Sequence, residues 1–167
     1  MIWISYYCGD GVRRNSRSGN DSCLLWQEFF VLKGDLMFPP MIMIGIVAAG
    51  GAAGSALRYI LGYVLANVFG TAFPLGTFSV NLIGAFLIGL LGSLSAIRSA
   101  GPELNALLIA GLLGGFTTFS SMIYEGIQYF MAGRAEEGFL YLFAQLFSGA
   151  AACVLGITLA HMWHSPI

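Results

Sequence analysis

The sequence predicts an all-α membrane protein with four transmembrane helices, the third of them broken in mid-membrane. Of the 167 residues, 57% are hydrophobic and only 9% are charged, and four long apolar runs follow one another after residue 40. A soluble domain carries roughly a quarter charged residues, so a surface this poor in charge is suited to lipid. The formal net charge is -1 and no basic patch is visible, which argues against nucleic-acid binding.

Residues 1–40 differ from the rest of the chain in composition. They hold four of the seven basic residues and include the polar, Gly/Ser-rich stretch GDGVRRNSRSGNDS, which is typical of disorder. The basic cluster follows a short apolar start instead of preceding a long one, so it does not form a signal peptide. We expect a peripheral extension here, with the biological start near Met37, Met41 or Met43, and a four-span transmembrane domain at 41–167.

The four apolar runs each have about the 20 residues that a helix needs to cross a bilayer core. The short loops between them make neighbouring spans antiparallel. Small residues recur at a spacing of four, as at Gly50 and Gly54, which lets helix backbones approach closely in lipid. Four short spans enclose little space, so we expect an oligomer. The runs cover roughly 41–69, 77–97, 104–133 and 138–163.

The orientation signal of the membrane core is weak. After Met41 the only basic residues are Arg58, Arg98 and Arg134. Arg98 and Arg134 fall in predicted loops on opposite sides of the membrane, so the positive-inside rule favours neither orientation. A core without bias suits a protein that inserts both ways up.

The third run contains the segment GGFTTFSSM at 114–122. Two glycines followed by hydroxyl residues make a poor mid-membrane helix, and non-helical backbone at that depth is tolerated only inside protein or beside a cavity. We therefore predict a break near Gly114–Thr118. Unwound carbonyls at such a break can hold a cation, as they do in broken transporter helices.

The residues after this break have side chains that suit a small anion. Ser120 and Ser121 carry hydroxyl donors, and the ring of Phe119 has a positive edge. Phe119 and Met122 are three residues apart and are predicted to share one helix face. An aromatic residue at this spacing more commonly packs in a core, so the motif alone does not identify a pore.

Other polar residues inside the runs also need a physical reason, because they are costly in lipid. Asn81, with Thr77 one turn before it, either forms an interhelical hydrogen bond or points its amide donors at an anion. Arg58 snorkels to an interface, lines a wet vestibule or pairs with a carboxylate. Glu125 faces a pore mouth or balances Arg58. Tyr141, together with Gln145, begins a stripe of donors on the fourth run.

The sequence gives no support for an enzyme. Its two histidines, His161 and His164, lie at the C-terminal boundary of the fourth run, and it has no paired membrane aspartates and no glycine-rich phosphate loop. The alternative class is a proton-coupled small multidrug-type exporter, which also has four spans. That mechanism needs a carboxylate in the middle of the first span, and this first span has none.

Three stretches resemble the Fluc (CrcB-like) family of fluoride channels: GGAAGSALRY, GTFSVNLIGAFLIG and GLLGGFTTFSSM, in that order. The resemblance covers about residues 43–162. It implies an antiparallel, dual-topology homodimer with two pores in the plasma or inner membrane. It also implies passive, selective export of fluoride from the cytoplasm, which lowers fluoride toxicity. Fluoride is small and strongly hydrated, so a pore must replace its water with donors.

Residue by residue, the resemblance implies a pore asparagine at Asn81, the threonine one turn before it at Thr77, and the first pore phenylalanine at Phe119. It implies that Glu125 is the family's vestibule-side glutamate and that Arg58 is its first-span arginine.

The resemblance also implies that Tyr141 begins a fourth-span polar track, and that the backbone carbonyls of Gly114 and Thr117 bind a structural sodium ion at the dimer interface. The chain departs from the family in two places. Met122 stands where the second pore phenylalanine is expected, and a thioether lines a pore without a ring edge. Gln145 stands where a smaller hydroxyl residue is expected.

Overall fold

The computed structural model describes residues 41–70, 73–94 and 99–164. In these ranges the regular structure is helical, and four segments are long and apolar enough to cross a membrane, as the sequence predicts. The expectations for residues 1–40 and for Arg98 lie outside the described residues. The four segments are Met41–Phe69, Leu75–Ser93, Pro102–Met131 and Ala135–Trp163.

The first two spans are continuous α-helices. Helix α1 (Met41–Phe69) has the predicted bounds, and Gly70 follows it with φ +81°, a left-handed conformation that glycine adopts without strain. Helix α2 (Leu75–Ser93) begins after Pro74 and ends at Ser93, because the backbone of the next residue, Leu94, is extended. It therefore ends before the predicted limit of residue 97.

The third span consists of four pieces. Pro102, whose fixed φ suits the first position of a helix, opens α3 (Pro102–Asn105), and a π-helical stretch follows at Ala106–Leu113. A short helix α4 (Gly114–Phe116) comes next, and after two extended residues helix α5 (Phe119–Met131) completes the span. The predicted break near residues 114–118 is thus confirmed, whereas the π-helical stretch was not predicted.

The break itself is two residues long. Thr117 has φ -81° and ψ 159°, and Thr118 has φ -149° and ψ 113°, so both have extended backbones between two helices.

Helix α6 (Ala135–His164) forms the fourth span. The sequence predicted a loop over RAEE and a start at residue 138, and this boundary was wrong. Glu136 and Glu137 occupy the first helical turn, where the helix dipole favours negative side chains. Glu137 also pairs with Arg134 just before the helix, which further favours an early start.

Glycines position the helix pairs. A Cβ on Gly54 of α1 would overlap the carbonyl of Leu112, and one on Gly89 of α2 would overlap the carbonyl of Cys153. The close spacing requires residues without side chains, as the small-residue pattern predicts. Helix α1 therefore packs on the first half of the third span, and α2 packs on α6. This arrangement brings α2, the break and α6 together.

Candidate functional site

The break in the third span is held by Asn81 of α2. The Nδ2 of Asn81 donates to the Thr118 carbonyl at 3.0 Å, and the Thr118 N–H donates to Asn81 Oδ1 at 2.8 Å. Thr118 is buried, with 8% of its surface exposed, so its backbone groups need partners inside the protein. The amide side chain of Asn81 supplies both the acceptor for the Thr118 N–H and the donor for the Thr118 carbonyl. Of the two roles predicted for Asn81, the interhelical hydrogen bond is the one present in the protomer.

The hydroxyl of Thr118 caps helix α5. Its Oγ1 accepts from the N–H of Ser121 at 3.2 Å, donates to Ser121 Oγ at 3.0 Å and lies 3.3 Å from Ser120 Oγ. Capping by threonine satisfies an amide that the helix start leaves without an intrahelical partner. The structure therefore gathers three hydroxyls at the positive end of the α5 dipole.

Because of these hydrogen bonds, two carbonyls at the break lack the N–H donors that a continuous helix would provide. In an unbroken helix the Thr118 N–H would donate to the carbonyl of Gly114, and the Ser121 N–H to the carbonyl of Thr117. These amides instead donate to Asn81 Oδ1 and to Thr118 Oγ1. The oxygens of Gly114 and Thr117 thus lack the amide partners that a continuous helix would supply.

A chain of hydrogen bonds runs from Asn81 to a carboxylate inside the membrane. Gln145 Oε1 accepts from Asn81 at 3.5 Å, and Gln145 Nε2 donates to the Tyr141 hydroxyl at 3.1 Å. Tyr141 donates to Glu125 Oε2 at 2.5 Å, and Thr77 donates to Glu125 Oε1 at 2.6 Å. Side chains from α2, α5 and α6 form this chain of hydrogen bonds, whereas the sequence predicted polar positions on each helix but not the bonds between helices.

Arg58 lies beside this chain of hydrogen bonds, on the wall of a cavity of about 610 Å³. The same cavity is lined by Thr77, Thr118, Ser121 and Glu125. Within the ranges that the structure describes, its guanidinium forms no hydrogen bond or ion pair. Arg58 therefore does not balance Glu125, whose oxygens accept from two hydroxyls. A vestibule role for Arg58 stays a prediction.

Phe119 and Met122, three residues apart on α5, differ in burial within the protomer. Phe119 is 69% exposed, whereas Met122 is 5% exposed and packs inside the protomer. Three residues of α-helix leave two side chains about 60° apart, and here the boundary between surface and core passes between them. Among the predicted pore residues, Ser120 is exposed like Phe119, and Tyr141 is buried like Met122.

Thr118 is the residue whose importance the sequence did not reveal. The sequence places Thr118 only at the end of the predicted break, whereas in the structure its peptide is the partner of Asn81 and its hydroxyl is the cap of α5. A threonine before a run of helix formers is a capping signal, and that signal alone would have marked it.

Comparisons with known proteins agree with this architecture. The family model described as CrcB-like protein, Camphor Resistance (CrcB), matches residues 45–157. A Rhizobium etli (strain CIAT 652) protein named fluoride-specific ion channel FluC is 45% identical over 118 residues, 70% of this chain and 94% of that protein. Proteins of the same name from Agrobacterium fabrum and Thermus thermophilus are 43% and 44% identical. The Agrobacterium match covers 71% of this chain and 96% of that protein, and the Thermus match covers 68% and 91%.

The matched region includes most of α1, all of α2 and of the broken third span, and most of α6, so every residue in the chain of hydrogen bonds lies inside it. With four helices able to cross a bilayer, the chain is a multi-pass membrane protein. It belongs to the CrcB-like family.

Proposed function

We propose that this chain is one protomer of a passive, fluoride-selective channel in the cell membrane, which lets fluoride leave the cytoplasm and so lowers its toxicity. The observation that carries the proposal is the break at Thr117 and Thr118, where Asn81, three hydroxyls and the start of α5 meet. The relatives named as fluoride-specific channels support the choice of ion.

Fluoride loses strongly bound water when it enters a narrow pore, so the wall must offer hydrogen-bond donors. Ser120 and Ser121 carry hydroxyls at the N-terminal end of α5, where the helix dipole favours an anion. The exposed ring of Phe119 offers its positive edge at the same end. Arg58 attracts anions into the adjoining cavity by its charge.

A second copy of the chain supplies the missing wall. Phe119 and Ser120 are exposed on the protomer next to the break, so one protomer cannot enclose an ion there. We assign the pore to an antiparallel homodimer with dual topology. The weak charge bias of the core supports this orientation, since neither face of the membrane is favoured.

A structural sodium ion at the dimer interface fits the chemistry of the break. The carbonyls of Gly114 and Thr117 have lost the amides that would bind them in a continuous helix. Two such carbonyls from each protomer would surround a cation with oxygen ligands, which would lock the two copies together.

The proton-coupled exporter is the weaker candidate. Helix α1 contains no carboxylate, and Glu125, on α5, accepts hydrogen bonds from Thr77 and Tyr141. A coupling carboxylate must exchange its proton with water and substrate, and these two hydroxyls occupy its oxygens.

The test is ion flux from liposomes that contain the purified full-length chain. We expect fluoride to leave down its own gradient without a proton gradient, while chloride is retained. Protein-free liposomes give the leak. Fluoride accumulation against its gradient when a proton gradient is imposed would refute the channel mechanism, and equal flux of fluoride and chloride would refute the selectivity.

A further inference from the structure

Both N–H groups of the Asn81 amide are in use within the protomer. One donates to the Thr118 carbonyl at 3.0 Å and the other to Gln145 Oε1 at 3.5 Å. The second distance is at the limit of a hydrogen bond, so this contact is the weaker one. An ion that binds Asn81 without opening the break must therefore replace Gln145 Oε1 as the acceptor.

Gln145 is well placed to take part in that replacement. It is 5% exposed, and its amide lies between Asn81 and Tyr141, one turn before it on α6. The terminal torsion of glutamine is broad and roughly two-fold, so a half-turn exchanges Oε1 and Nε2 within nearly the same volume. After the half-turn Nε2 faces Asn81, and Oε1 faces the Tyr141 hydroxyl.

The other groups in this chain of hydrogen bonds can adjust to the rotation, so that the Gln145 amide still has a hydrogen-bond partner at Tyr141. The Tyr141 hydroxyl donates to Glu125 in the structure, and the same hydrogen can turn to Gln145 Oε1. Glu125 then keeps the bond from Thr77. Two amide nitrogens about 3.5 Å apart, those of Asn81 and Gln145, would both carry hydrogens toward the space between them. Both can reach one small anion at the usual charge-assisted distance of about 2.8 Å.

We propose, on the basis of the fluoride-channel function above, that Gln145 is a second anion-binding amide, which turns by half a rotation to bind the ion jointly with Asn81. When no ion is bound, Gln145 Oε1 accepts from the Asn81 amide. When an ion is bound, Gln145 Nε2 donates a second hydrogen bond to that ion. Asn81 is partly exposed and Gln145 is buried, so the ion meets Asn81 first. Gln145 thereby contributes to the selection of a small, strongly hydrated anion.

Two substitutions of similar size separate this role from a purely structural one. Gln145→Glu keeps an acceptor for Asn81 but has no N–H, and Gln145→Met removes both acceptor and donor. If Gln145 only competes with the ion for Asn81, Gln145→Met should conduct fluoride as well as the wild type or better. If Gln145 binds the ion, both variants should lose about tenfold or more in flux, the loss expected for one missing hydrogen bond to a charge.

The measurement is fluoride efflux from liposomes as a function of internal fluoride, at several pH values, with thermal melting in detergent to verify folding. We expect the half-saturating fluoride concentration to rise in both variants. We also expect the flux of Gln145→Glu, relative to wild type at the same pH, to recover as pH falls, because the protonated carboxyl regains one donor.

Folded Gln145→Met with at least wild-type flux, or Gln145→Glu with unchanged flux at neutral pH, would overturn the proposal. If Gln145→Met does not fold, Gln145→Leu, which also lacks both acceptor and donor, takes its place, because a carboxylate at this position would repel the anion under either role. A wild-type chain without fluoride flux would instead reject the channel function itself, so the two failures are distinguishable.

Discussion

Replacing Asn81 with alanine should destabilise the fold as well as the pore. The substitution removes the partners of both the N–H and the carbonyl of Thr118, at 2.8 Å and 3.0 Å, in a residue that is only 8% exposed. A buried group left without its hydrogen bond costs about 1–3 kcal/mol, so two such groups cost about 2–6 kcal/mol. For a chain of this length about 2 kcal/mol corresponds to a fall in melting temperature of at least about 4 °C.

The assay is thermal melting in detergent, followed by the loss of the monodisperse peak in size-exclusion chromatography. Asn67→Ala is the matched control, since Asn67 also lies in a transmembrane helix but donates to the carbonyl of Tyr63 at an exposed position. We expect Asn67→Ala to change stability by about 0.5 kcal/mol or less. If Asn81→Ala melts no lower than Asn67→Ala, the break does not depend on Asn81.

Three further outcomes are expected. Phe119→Ile should reduce fluoride flux about tenfold or more, because an aliphatic side chain has no positive ring edge; full flux would remove Phe119 from the pore wall. Gly54→Leu should abolish the folded peak, because a Cβ there overlaps the Leu112 carbonyl, whereas Gly45→Leu should be tolerated in open space; equal behaviour of the two would contradict the packing of α1. A chain that begins at Met41 should insert and conduct in liposomes, because the family match starts at residue 45; loss of flux would show that residues 1–40 are required.

The spans and the break could be predicted because each depends on local composition. Helix α1 has the predicted bounds since an apolar run ends at Gly70, which can adopt a left-handed conformation. The break follows from two glycines and two threonines, which are poor helix formers in series. The start of α6 was missed because the sequence reading treated acidic residues as a loop, although Glu136 and Glu137 suit a first helical turn.

The partners within the site could not be predicted, because they come from residues far apart in the chain. Glu125 accepts from Thr77, 48 residues before it, and Asn81 contacts Gln145, 64 residues after it. Sequence spacing gives the face of one helix but not the rotation of its neighbours. The same limit explains why Met122 is buried while Phe119 is exposed. The predicted pore and sodium residues therefore remain predictions that flux and binding must test.

The π-helical stretch at Ala106–Leu113 has a consequence for how this chain is compared with its relatives. Each residue turns the chain less in a π-helix than in an α-helix, since the bonds close at i→i+5 instead of i→i+4. One inserted residue can therefore be absorbed there without rotating Thr117 and Thr118 away from Asn81. We therefore expect a relative with one residue fewer in this segment to be α-helical there and to keep the site intact. An alignment gap in this segment would accordingly mark a change of helix type, and the residues after it would keep their roles.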